Sequence, residues 1–267
     1  MLEAFLLNQT ALFTLVLGRV GGMIATAPLL SSQAAPVRVR ALLAVSLAML
    51  VTPLYTAPAF IGRIGVADFG RMIVGEVLIG LLLGLGVTIL LSGVQLTGQI
   101  VAQMSGMALG DVFNPALDNN VSIFTQMFYF VSLAVFVAIG GHRMVLDAVI
   151  KTFEWAPPGE ADLGASYAQA VIALASQSFQ LGVRAAGPIL IALFLSTVVL
   201  GLISRTLPQI NTVVVGFGIN SLLTLGVMMV SLGGVAWTFQ EPLAATLELL
   251  IDAVKDGHAA EPSAGEP

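Results

Sequence analysis

MIVGEVLIGLLLGLGVTILLSGVQL, residues 72–96, decides how this chain is read. It carries one charge, Glu76, and is otherwise almost wholly apolar. About 20 such residues suffice for a helix to cross the ~30 Å hydrocarbon core of a bilayer. The segment therefore predicts a transmembrane helix. Working outward, five further stretches qualify: residues 12–30, which include Arg19, and residues 41–61, 121–140, 183–204 and 212–239.

Composition agrees. Of the 267 residues, 57% are hydrophobic and 9% charged, with a mean hydropathy of +0.98. Soluble domains hold about 25% charged residues. The expected fold is an all-α integral membrane protein with about six hydrophobic helices, several kinked or broken. Residues 1–240 form the membrane-embedded domain. Residues 241–267 form an acidic, partly disordered tail holding Glu241, Glu248, Asp252, Asp256, Glu261 and Glu266.

That tail accounts for much of the net charge of −5, and the near-neutral remainder offers nucleic acid no electrostatic footprint. Cysteine is absent, which excludes disulfides, thiolate metal sites and cysteine nucleophiles. Met1-Leu2-Glu3-Ala4 lacks the positive start of a cleavable signal, so the first apolar segment is expected to stay. Arg38, Arg40 and Arg205 fall in one set of connections. Arg63, Arg71, Arg143, Lys151 and Lys255 fall in the other, which leans toward cytoplasmic termini.

Polar interruptions carry the functional signal. Broken or polar backbone at membrane depth is tolerated only where it is buried in protein or lines a watery path. Gln95, Gln99 and Gln103 recur every four residues, one stripe on a helix. They lead into a loop rich in turn formers: Asp111, Asn114-Pro115 and Asp118-Asn119-Asn120. Such a stripe suggests a polar path ending in non-helical chain, against the alternative of an ordinary solvated loop. Residues 164–186 read as an amphipathic lead-in to the fifth segment. Gly187-Pro188 then predicts a kink, since proline removes a donor and clashes with the preceding turn.

Small residues four apart, at Gly18 and Gly22, Gly80 and Gly84, and Gly106 and Gly110, predict close helix packing without naming the partner. Glu76 is either a polar contact between subunits, or a proton-linked group, or an interfacial carboxylate paired with Arg71 or simply hydrated. Arg19 either snorkels to the interface or is buried against another subunit. His142 follows Gly140-Gly141 and reads as structural or interfacial rather than catalytic. No HExxH, GxSxG or Walker-type loop is present, so neither an enzyme nor a bound cofactor is expected.

Taken in order, several stretches resemble the FliR family, the flagellar protein-export gate subunit, and its injectisome homologue SctT. They are Arg19 with Pro28 and the run Pro36-Val37-Arg38-Val39-Arg40; Gly75-Glu76 with Gly80 and Gly84; and Gly98-Gln99-Ile100 with residues 103–115. Gly140-Gly141-His142, Gly187-Pro188 and Arg205-Thr206-Leu207-Pro208-Gln209-Ile210-Asn211 with Gly216 complete the set. The last of these looks more like the flagellar branch. One departure is Asn114-Pro115, where the family often has Asp-Pro.

The resemblance implies one subunit of a helical export-gate assembly in the bacterial inner membrane, within the flagellar basal body. FliP-like and FliQ-like subunits would complete it, with an FlhB-like protein outside. Unfolded export substrates would pass through its centre. The loop holding Ser105, Gly106, Met107, Gly110, Asp111, Phe113, Asn114 and Pro115 would plug the closed path. Arg19, Glu76, Gln95, Gln99, Gln103, His142, Pro188, Arg205, Pro208, Gln209 and Asn211 would line a polar path or make subunit contacts. Gly187-Pro188 and residues 205–211 are expected to set helix breaks at those contacts. The rival reading is a small secondary transporter with broken helices, although no inverted repeat is visible.

Overall fold

The computed structural model describes residues 2–30, 36–55, 65–106, 122–161, 165–207, 209 and 212–259. Among these residues all regular structure is helical. The helices are α1 (Leu2–Thr26), α2 (Val37–Val51), α3 (Val66–Met104), α4 (Ile123–Ala138), α5 (Gly141–Trp155), α6 (Ala165–Thr206) and α7 (Thr212–Ala259). A short 3-10 turn, Thr52–Leu54, extends α2.

Local chemistry sets several boundaries. Pro36 caps α2 in extended geometry (φ −54°, ψ 141°), as suits a residue preceding a helix. Ser122 opens α4 by accepting the Phe124 N–H. Gly140, at φ 76°, separates α4 from α5 in a left-handed conformation that glycine adopts without steric cost.

The six expected segments are largely helical where described, with bends or turns at residues 27–30, 55 and 139–140, and among the described residues fewer helices qualify as spans on length and composition. Val37–Leu54, Val66–Met104 and Ser166–Thr206 do so, and a fourth is obtained if α4 and α5 are counted as one bent span. Among the described residues α1, which carries Arg19 within its apolar run, is not one of these. In α7 the apolar stretch found among the residues with described side chains is Val214–Val230.

The expected lead-in and fifth segment are one helix, because α6 runs unbroken through Gly187-Pro188. Pro188 is exposed there. Likewise α7 continues through Pro242, so the boundary expected at residue 240 falls inside a helix.

The chain divides into two compact units. Unit 1 comprises Met1–Ile89, Gly140–Ala175 and Leu243–Pro267. In it α2 packs on α1 through a stripe of Ala44, Ala48 and Val51. The last turns of α7 bury Leu243, Leu247, Leu250 and Val254, spaced as one helical face. Unit 2 comprises Leu90–Ile139 and Ser176–Pro242. Its core includes Val94, Val101, Phe124, Phe128, Phe136, Ala186, Ile189 and Leu193.

Candidate functional site

Unit 1 is organised around a buried ion pair. Arg19 of α1 and Glu76 of α3 are both fully buried, and Arg19 Nε donates to Glu76 Oε2 at 2.6 Å. Every other arm of the pair is also used. Arg19 Nη1 donates to Thr152 Oγ1 at 3.2 Å, and Nη2 donates to the Ala156 carbonyl at 3.0 Å. The guanidinium lies 4.0 Å from the centre of the Phe153 ring. Glu76 Oε1 accepts the Gly159 N–H at 2.8 Å. Two charges thus join α1, α3, the end of α5 and the turn that follows it. A bond at each guanidinium nitrogen and each carboxylate oxygen is what makes this buried charge tolerable, and removing one partner of such a pair costs ~3–5 kcal/mol.

Glycine brings the two helices close enough. A Cβ at Gly80 would collide with the Arg19 carbonyl oxygen and lie 2.9 Å from Met23 N. A Cβ at Gly84 would strike Thr26 Oγ1 and lie 2.6 Å from Ala27 N, and one at Gly22 would strike the Val77 carbonyl. The gap is closed by hydrogen bonds: Thr26 Oγ1 donates to Leu81 O at 3.1 Å, and Thr88 Oγ1 donates to Thr26 O at 2.8 Å. The partner of the Gly80–Gly84 stripe is therefore α1 of the same chain.

These contacts correct two readings. Arg19 neither snorkels nor faces another subunit. Glu76 is bound by Arg19, not Arg71, and is inaccessible from outside. Arg71 instead lies 3.8 Å from Asp68 on the exposed surface. The reason is helical phase: residues five apart do not share a face, whereas residues three apart do. Thr152, Phe153, the Ala156 carbonyl and the Gly159 N–H escaped the sequence reading. The one available signal for Thr152 was the period of the buried face of α5: Val145, Ala148, Val149 and Thr152.

Unit 2 repeats the close-packing device. A Cβ at Gly93 would meet the Ser178 carbonyl, and one at Gly182 would lie 3.2 Å from Leu96 Cδ2. Thr97 Oγ1 donates to Gly182 O at 3.0 Å. Gly98 lies against the start of α4, where an added Cβ would be 2.9 Å from Phe124 O. Gln95 is half-buried, and Gln99 and Gln103 are exposed, on the side of α3 opposite buried Val94, Thr97 and Val101.

Ser105 is buried and donates to Ala102 O at 3.0 Å, and Gly106 follows at φ 82°. Met107, Gly110, Asp111, Phe113, Asn114 and Pro115 lie outside the described residues, as do Pro208 and Asn211. Gln209 and Arg205 are exposed. His142, in unit 1, is half-buried with Nδ1 enclosed and unpartnered among the described residues.

One further polar contact was not anticipated. Ser196 Oγ of α6 bonds Asn220 Oδ1 of α7 at 2.6 Å amid apolar neighbours. Such interhelical bonds average about 0.6 kcal/mol in membrane proteins. Asn220→Leu should therefore lower stability by ~0.5–1 kcal/mol without preventing folding, measurable as a small drop in the detergent unfolding midpoint. A loss several times larger would mean that Asn220 holds more than Ser196.

The family model for bacterial export proteins, family 1, matches residues 10–245. The flagellar biosynthetic protein FliR of Caulobacter vibrioides is 26% identical over 237 residues, covering 86% of this chain and 92% of that protein. FliR of Escherichia coli K12 is 28% identical over 215 residues, 80% of each chain. The secretion system apparatus protein SsaT of Salmonella typhimurium is 24% identical over 161 residues, 60% of this chain and 62% of its own. The match takes in both halves of the buried ion pair and both glycine seams, and the chain belongs to the bacterial export proteins, family 1, which the FliR resemblance had indicated.

Proposed function

We propose that this chain is a non-enzymatic subunit of the flagellar type III protein-export gate. It helps form and plug the central path by which unfolded flagellar substrates cross the bacterial inner membrane. The observation that carries this is the family match over residues 10–245, joined to FliR relatives covered along most of their own length.

The described surface supports a life among other apolar chains. Only 22% of the most apolar window of α6 is buried, and Ile191, Phe194, Leu195, Val198 and Leu202 are exposed. A groove of ≈ 540 Å³ on α7, lined by Ile219, Leu222, Leu223, Gly226, Val227 and Val230, is likewise apolar. FliP-like, FliQ-like and FlhB-like subunits and membrane lipid are the proposed cover. Residues 105–119 are the proposed plug, and the outward amides Gln95, Gln99 and Gln103 its polar approach.

Native mass spectrometry of the tagged protein, gently extracted from its own membranes, tests this. The expected species is a heavy complex with one copy of this chain and several copies of two other small membrane proteins. Recovery as a monomer or homodimer, with purification shown not to strip partners, would favour a small secondary transporter. An injectisome role is the second reading, supported by SsaT. Restored swimming when the gene replaces that of a flagellar FliR decides between the two.

A further inference from the structure

We propose that the Arg19–Glu76 pair admits α1 to the bundle: α1 docks on α3 because its buried arginine finds this one carboxylate. Three observations lead here, and none depends on the export-gate reading. First, Arg19 is the only charged residue of α1 after Glu3, and it is fully buried. Second, the backbones of α1 and α3 approach so closely at Gly22, Gly80 and Gly84 that no solvent layer separates them. Third, Arg19 lies one turn before Gly22 and Glu76 one turn before Gly80, so the seam cannot close without burying both side chains.

Arg19 brings a permanent charge, because a guanidinium does not lose its proton in proteins. A buried charge without a partner is expelled. Among the described residues Glu76 is the only carboxylate bonded to Arg19, and it does so at 2.6 Å. Thr152 Oγ1 and the Ala156 carbonyl supply neutral acceptors but no charge. Glu76 therefore acts as a positioning residue. With it, the seam closes around a neutral pair. Without it, Arg19 must stay where water or headgroups can reach it, and α1 lifts from α3.

The chain's lack of cysteine permits a direct reading. A Cβ at Gly18 would lie 3.4 Å from Val77 Cγ2 and 3.5 Å from Glu76 Cβ, so paired Gly18→Cys and Val77→Cys substitutions report α1–α3 docking as an intramolecular disulfide. The pair is introduced into the full chain, expressed with its membrane partners in protease-deficient cells. Cross-linking is scored as the fraction of surviving chains, so the result does not depend on yield.

Most chains should cross-link in the parent. Glu76→Ala and Arg19→Ala should each lower the fraction at least several-fold. The double variant Arg19→Leu with Glu76→Leu, which removes both charges and keeps apolar bulk, should restore most of it. Parental cross-linking in Glu76→Ala would overturn the proposal. So would a double variant that cross-links no better than the single ones, since that would make the lost hydrogen bonds, not the unpaired charge, the cause.

Discussion

Gly80→Val should leave little or no assembled protein, while Gly70→Ala in the same helix should be silent or mildly stabilising. The contrast follows from what each added atom would meet. At Gly70 nothing lies within 4 Å. Replacing an open helical glycine by alanine removes conformational entropy from the unfolded chain and gains up to ~1 kcal/mol. At Gly80 the new Cβ would fall on the Arg19 carbonyl and within 2.9 Å of Met23 N. Both obstacles are backbone, so no side chain can swing aside.

Overpacking of this kind usually costs ~1–3 kcal/mol, and more where the obstacle is rigid. Here the displacement also stretches the Arg19–Glu76 bond and the Thr26 hydrogen bond to Leu81, because all three lie along one seam. We expect the loss to reach or exceed ~3 kcal/mol, enough to remove the protein from membranes. Native-gel abundance and the detergent unfolding midpoint measure it. An assembled Gly80→Val chain with a parental midpoint would show that the seam has more slack than the geometry allows.

How much of this was legible in the sequence can be followed residue by residue. The helices were, because runs such as residues 72–96 are too long and too apolar for anything else. Family membership was as well, because Arg19, Gly75-Glu76, Gly98-Gln99 and the Gly187-Pro188 pair occur in order. Both members of the ion pair stood out as anomalies. Their union did not, because they are 57 positions apart and Arg71 was a nearer candidate in sequence.

The neutral contributors to the site were invisible for a different reason. The Ala156 carbonyl and the Gly159 N–H are backbone groups, which every residue carries. The glycine stripes announced close packing, but a stripe has no address, and only coordinates show that Gly80 faces α1 while Gly93 faces α6. The helix break expected at Gly187-Pro188 erred in the other direction. Pro188 and Pro242 both lie inside continuous helices. A proline removes one backbone hydrogen bond, and neighbouring groups in a membrane helix can absorb that loss without ending the helix.

Deleting residues 106–115 should leave the gate assembled and make the membrane leaky to ions or small solutes. The stems argue for assembly. Gly98 of α3 lies against Phe124 and Thr125 of α4, so the two helices are already in contact within unit 2 before the loop contributes anything. From Gly98 to Ser105 the helix climbs about 10 Å. The residues left after deletion, 116–121, can reach about 20 Å when extended. The shortened connection therefore spans the stems without prying them apart.

Leakiness is the part that rests on the proposed plug. The deleted stretch supplies most of the bulk in that loop, including Met107, Phe113 and Pro115. If those side chains block a path, their loss opens it continuously, so conductance should rise many-fold in planar bilayers or as collapse of a preset ion gradient. Native mass spectrometry on the same sample separates the two ways to fail. An intact complex with unchanged conductance would end the plug assignment. A complex that falls apart would instead mean that these residues bind a neighbouring subunit, and that the stems alone do not hold the helices in place.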